Sequence, residues 1–153
     1  MKPDFLNSEI VNVIFGKGVE VVKPCNIYGA TIEDNVFIGP FVEIQSDVHI
    51  GKGSKIQSHT FICSLVEIGS NVFVGHGVMF INDTFSIGGP ANGKKDLWKK
   101  TSIGNNVSIG SNATILPVSI CSEVVIGAGS VVTKSITDPG CYAGNPAKKI
   151  SKN

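Results

Sequence analysis

An isoleucine, valine or phenylalanine returns every six residues through the middle of the chain. Ile32, Ile38, Ile44, Ile50, Ile56, Ile62, Ile68, Val74 and Phe80 follow one another without a slip. Four positions after each of the first eight stands a second small or β-branched residue, in the series Val36, Val42, Val48, Ser54, Thr60, Val66, Val72, Val78. Glycine follows the anchor in Ile38-Gly39, Ile50-Gly51, Ile68-Gly69 and Val74-Gly75, and the phrase returns at Ile103-Gly104, Ile109-Gly110, Ile115, Ile120, Ile126-Gly127 and Val132. A six-residue unit has room for a short strand and a turn, not for a strand and a helix. Anchor and fourth-following residue share parity, so both point to one side of an extended segment, here inward, and glycine supplies the turn. The pattern predicts a β-solenoid.

Composition agrees. The 153 residues hold 18 glycines, 19 isoleucines and 18 valines against 4 leucines and no arginine, which excludes a helix bundle and suits pleated surfaces with many tight turns. One domain is expected. Thirteen lysines against 12 acidic residues give a net charge of +1, no footprint for nucleic acid or for an anionic membrane. The N-terminal Met-Lys-Pro-Asp-Phe-Leu-Asn-Ser-Glu has no apolar core of a signal peptide, and no later stretch approaches the ~20 apolar residues of a membrane span. A soluble, cytoplasmic protein is the expectation. Cys25, Cys63, Cys121 and Cys141 stand far apart with no CxxC pair, so they read as buried free thiols rather than a disulfide framework or a zinc knuckle.

Over about residues 27 to 150 the chain resembles the left-handed β-helix hexapeptide-repeat proteins. That resemblance implies an all-β, left-handed parallel β-helix, three units to a triangular coil. Residues 1–26, with Val11, Val13, Val19 and Val21 only loosely in period, read as an N-terminal capping coil ahead of the repeat domain at 27–150.

The period breaks twice. Phe80 and Ile103 are 23 apart, six plus an insertion of 17, so residues 82 to 100 form an extended loop; it is polar, glycine-rich and carries the one tryptophan, Trp98. One residue is missing between Ile115 and Ile120, at Pro117, and reads as a tightened corner. If the loop replaces no core position, Ile103 takes the place of residue 86 and positions 18 apart stack. Pro40, Ser58, His76, Ser111 and Ala128 then form one column, with His76 and Ala128 about 10 Å apart at ~4.8 Å per coil. His59 lies beside that column under Gly77, and His49 lies on another side, stacked with Glu67. On this reading His59 and His76 meet at the edge the loop leaves.

The string Ile126-Gly-Ala-Gly-Ser-Val-Val-Thr-Lys134, followed by Ala143-Gly-Asn-Pro-Ala-Lys148, is close to a signature of hexapeptide acyltransferases that use coenzyme A. In those enzymes the cosubstrate lies between subunits of a homotrimer. The resemblance implies backbone contacts to the pantetheine arm at Ser111 and Ala128, Thr133 and Lys134 near the diphosphate, and Lys148 near the phosphorylated ribose. The segment Val74-Gly-His-Gly-Val-Met-Phe-Ile-Asn-Asp83 is similar to N-acetyltransferases of nucleotide-linked amino sugars, especially 3-amino-3,6-dideoxyhexoses, which feed bacterial surface polysaccharide. It departs from galactoside, maltose and antibiotic acetyltransferases, whose histidine comes later, in the loop; residues 82 to 100 contain none.

Acyl transfer to an amine needs a proton acceptor and a donor for the oxyanion. His76 is the candidate base, Asn82 or Asp83 would orient the amine, and the Ser111 N–H is the implied oxyanion donor. Direct proton transfer to the departing thiolate is the alternative, with no essential side chain. His59 and Trp98 are substrate-binding candidates, Trp98 either stacking on a base or sugar or anchoring the loop. Lys94, Lys95, Lys99 and Lys100 read as solvated loop or as partners of a diphosphate. Three other readings stand beside N-acetyl transfer from acetyl-CoA: O-acetyl transfer to a small hydroxyl acceptor, a non-catalytic scaffold, and a zinc carbonic anhydrase. The last resembles the Gly-His-Gly segment, but Ile81 stands where its second histidine would be, so no metal is expected.

Overall fold

The six-residue period folds as short strands alternating with corners that wind into a left-handed parallel β-helix of about seven coils; the computed structural model describes residues 9–150. Among the described residues three parallel sheets make the three faces, with seven, six and eight strands. The first face runs from Ile10–Val11 to Val131–Val132, the second from Ile14–Phe15 to Ser119–Ile120, and the third from Glu20–Val21 to Gly140–Ala143, where Lys148–Ile150 adds antiparallel at the edge. Ile10 pairs with Ile27, Ile14 with Thr31 and Glu20 with Phe37, so residues 10–21 form a complete coil in register. The first eight residues of the expected 1–26 capping coil lie outside the described residues.

All nine anchors from Ile32 to Phe80 are at most 1% exposed, and the eight partners from Val36 to Val78 at most 2%. The polar members of that inner set are satisfied by the corners. Ser54 Oγ donates to the Gly69 carbonyl at 2.9 Å and accepts from Val72 N–H at 3.0 Å, and Thr60 Oγ1 donates to the Gly75 carbonyl at 2.9 Å. A buried hydroxyl therefore replaces valine without leaving an orphan group.

Corner glycines have a steric reason. A Cβ on Gly75 would stand 2.7 Å from the Ser111 nitrogen of the next coil, and one on Gly110 2.4 Å from that of Ala128. At strand spacing the backbones leave no room for it.

Ile68 pairs with Ile103 and Ile103 with Ile120, so neither the insertion nor the missing residue shifts the ladder. Both irregularities fall at the corner between the first and second faces. Among the described residues all four cysteines are free, but only Cys63 is buried; Cys25, Cys121 and Cys141 are half-exposed, because they sit at corners or on an outer face rather than at inner positions. Among the described residues no helix is long and apolar enough to cross a membrane.

Candidate active site

The corner between the third and first faces stacks Pro40, Ser58, His76, Ser111 and Ala128 into a ridge, as the 18-residue arithmetic predicts. The Gly39 position abuts the Ser58 nitrogen, Gly75 that of Ser111 and Gly110 that of Ala128. Asn112 N–H donates to the His76 carbonyl and Gly129 N–H to that of Ser111, both within 2.9 Å. Glycine at 75 keeps a Cβ off the Ser111 amide, from which it would stand 2.7 Å.

His76 is exposed, and its Nδ1 lies 2.8 Å from Ser58 Oγ one coil below. When Nδ1–H donates to the hydroxyl, Nε2 carries the free lone pair; when the hydroxyl donates, Nε2 carries the proton. A serine hydroxyl can play either part, so the contact positions the ring and suits both tautomers. The signal for this contact in the sequence is the 18-residue spacing between Ser58 and His76, which places the two in one column. His59, next to Ser58, is exposed and its ring packs 4.9 Å from that of Phe41.

The two halves of the signature join at the top of this ridge. Gly127 N–H donates to Tyr142 O at 2.8 Å, Gly144 N–H to Ser130 Oγ at 3.2 Å, Val131 N–H to Gly144 O at 2.9 Å, and Ala147 N–H to Val131 O at 2.8 Å. Residues 143–147 therefore cap the corner above Ala128. Lys148 follows on the antiparallel edge strand, opposite Ala143, and is exposed. Thr133 and Lys134, also exposed, lie one corner further along the same coil, beyond the first face. The ridge thus offers small residues with close backbone along its length and Lys148 near its upper end, while Lys134 stands at the next corner, a donor set that suits a thin apolar arm ending in phosphates.

The loop does not leave this ridge. It departs after Met79–Phe80, at the corner between the first and second faces, one unit beyond His76. His76 and Asp83 are therefore separated by the width of a face, on the order of 15–20 Å at ~3.3 Å per residue. Counting one hexapeptide as one side of a triangle requires this; the expectation that both histidines and the loop share an edge is corrected.

Asn82 is buried, its Nδ2 donating to the Ser64 carbonyl at 3.1 Å and its own carbonyl accepting from Lys99 N–H at 2.8 Å. Asp83 clasps the loop: Oδ1 accepts from Phe85 N–H at 2.9 Å and Oδ2 from Ala91 N–H at 2.7 Å. Lys100 Nζ meets Glu67 at 2.6 Å on the second face, tying down the far end. Both partners are more than half exposed, so the pair contributes no more than about 1 kcal/mol. Lys94, Lys95 and Lys99 are exposed. Trp98 is half-buried and, with Phe61, Ile81, Phe85 and Asp83, lines a cavity of about 360 Å³ between the loop and the first face. Among the described residues no three histidine, cysteine or carboxylate side chains converge as metal ligands.

Comparison with known proteins agrees with this architecture. The bacterial transferase hexapeptide (six repeats) family matches residues 29–64, and the hexapeptide repeat of succinyl-transferase matches residues 100–134. Bifunctional protein GlmU of Clostridium botulinum (strain Kyoto / Type A2) is 32% identical over 160 residues, covering 97% of this chain and 34% of that protein. The chain thus spans about a third of the length of the curated relatives it matches first. A mutant of AntD, an N-acyltransferase from Bacillus cereus solved in complex with dTDP and coenzyme A, superimposes with a TM-score of 0.78 at 27% identity, covering 94% of this chain and 83% of that one. A maltose O-acetyltransferase from Clostridium difficile 630 gives 0.62 at 28% identity, covering 91% and 70%. With the repeat matched in both halves and the coil continuous between them, the chain belongs to the bacterial hexapeptide-repeat transferase family.

Proposed function

We propose that the chain transfers an acetyl group from acetyl-CoA to the amine of a nucleotide-linked (dTDP or UDP) amino sugar, a 3-amino-3,6-dideoxyhexose, for bacterial surface polysaccharide. The observation that carries this reading is the single ridge holding His76, Ser111 and Ala128 beneath the joined halves of the signature. The likeness to AntD, an N-acyltransferase that binds dTDP and coenzyme A, supports both substrate classes.

In this reading the pantetheine arm lies along the backbone of Ser111 and Ala128, Thr133 and Lys134 meet the diphosphate, and Lys148 meets the ribose phosphate. His76 Nε2 takes a proton from the attacking amine while Nδ1–H holds Ser58, and the Ser111 N–H faces the carbonyl oxygen as negative charge develops there. Within one chain Asp83 and Trp98 stand a face away from His76. A site containing all of them is assembled between subunits, the ridge of one against the loop of the next, in a homotrimer. Asn82 and Asp83 then act by holding the loop against the acceptor, and Trp98 by packing on it. Such an enzyme works in the cytoplasm.

The test is release of free thiol from acetyl-CoA against a panel of dTDP- and UDP-linked amino sugars and simple hydroxyl acceptors. Turnover with the amino sugars is expected. Turnover confined to hydroxyl acceptors would replace the amine by an alcohol, the chemistry of the maltose enzyme, and no turnover with any acceptor would leave a scaffold.

A further inference from the structure

The position at each corner that requires positive φ is filled mostly by Gly, Asn or Asp, the residues that tolerate it. On the His76 ridge this position reads Phe41, His59, Gly77, Asn112, Gly129. Phe41 (φ 60°) is a bulky residue in a conformation that disfavours it, His59 (φ 63°) takes the same position on the next coil, and their rings stack with centroids 4.9 Å apart and planes inclined by 31°. The core gains nothing from Phe41, which is 57% exposed. An outlying backbone conformation that displays an aromatic ring to solvent points outward, to a ligand.

The surroundings favour one kind of ligand. The platform lies immediately below His76, on the side away from Ser111 and Ala128. In the acyl-transfer reading the pantetheine arm occupies Ser111 and Ala128, which leaves that side of His76 to the acceptor. At the foot of the platform is a cavity of about 310 Å³ lined by Pro24, Cys25, Asn26, Phe41, Val42 and Glu43. It offers an amide among its polar groups, and a carboxamide supplies the adjacent donor and acceptor that the imide edge of uracil or thymine needs. Aromatic rings bind bases by their π faces.

We propose that Phe41 and His59 form the stacking platform for the pyrimidine base of the acceptor nucleotide, with Asn26 at the base edge. This rests on the acyl-transfer reading for the identity of the acceptor, not for the existence of the platform. The probes are dTDP and UDP, titrated separately into the full chain by calorimetry. Phe41→Ala and Phe41→Leu weaken the tighter of the two by roughly 5- to 150-fold, Phe41→Trp stays within about threefold, and KM for acetyl-CoA is unchanged in all three. Sedimentation shows the same oligomer throughout. Nucleotide binding by Phe41→Leu equal to that of the unaltered protein overturns the platform, as does failure of the unaltered protein to bind either nucleotide. A smaller oligomer for Phe41→Ala would also overturn it and make Phe41 a subunit contact. Nucleotide binding that depends on Phe41 in a protein that transfers no acetyl group overturns the acyl-transfer reading alone.

Discussion

Replacing Ser58 by alanine removes one hydrogen bond and very little else, because its Oγ lies at the half-buried corner and 2.8 Å from His76 Nδ1. In the proposed mechanism that bond is made with Nδ1 protonated and Nε2 free. A neutral hydrogen bond of this kind is worth about 0.5–1.5 kcal/mol net, or roughly two- to twelvefold in the population of the competent arrangement. On an exposed ridge water competes for Nδ1, so the lower half of that range is expected for the loss of kcat in Ser58→Ala. On the proposed mechanism His76→Ala removes the base and should lower the rate by about 10²–10⁴. The double variant should be no slower than His76→Ala, since Ser58 acts only through the ring it orients. Initial rates of thiol release at saturating acetyl-CoA measure all three. A further drop in the double variant would refute the orienting role, and near-normal turnover by His76→Ala would refute the base and favour proton transfer to the departing thiolate.

Ile56, fully buried in the coil, cannot be truncated without a cavity. Ile56→Ala should cost about 2–5 kcal/mol, read as a lower midpoint in urea unfolding with an unchanged slope. Asp83→Ala leaves two loop amides without their carboxylate; cleavage within residues 84–92 in limited proteolysis should rise at least about tenfold while Tm moves by less than about 2 °C, since the core is untouched. Burial pushes the Cys63 thiol up to about 12. At pH 8 only about one molecule in ten thousand carries the thiolate there, so Cys63 should be the last cysteine modified by iodoacetamide in the native protein, and raising the pH towards 12 should speed its reaction.

Most of the coil was legible because a six-residue period leaves one way to bury isoleucine and valine: the anchors, their partners and the register across the insertion all follow from spacing. The pairing of Ile68 with Ile103 is arithmetic. The loop's corner was misplaced for a geometric reason, since six residues advance the chain by a whole face and His76 and Asn82 cannot share an edge. Asp83's role was hidden because its partners, the amides of Phe85 and Ala91, depend on the path of a segment without periodicity. The antiparallel return of Lys148–Ile150 was equally invisible, as the repeat ends at Val132 and nothing in the spacing beyond specifies a hairpin. The cysteines followed local position rather than composition, and only Cys63, under the loop, is enclosed.

The uninterrupted ladder across the insertion has an evolutionary consequence. Lengthening a six-residue corner to 23 residues raises the loop-closure entropy by only about 1 kcal/mol, because that term grows with the logarithm of length. The coils on either side keep their hydrogen bonds and their buried side chains. A lineage can therefore lengthen, shorten or rewrite the inserted segment almost without consulting the scaffold, and one rigid spool can be refitted by changing what hangs from a single corner.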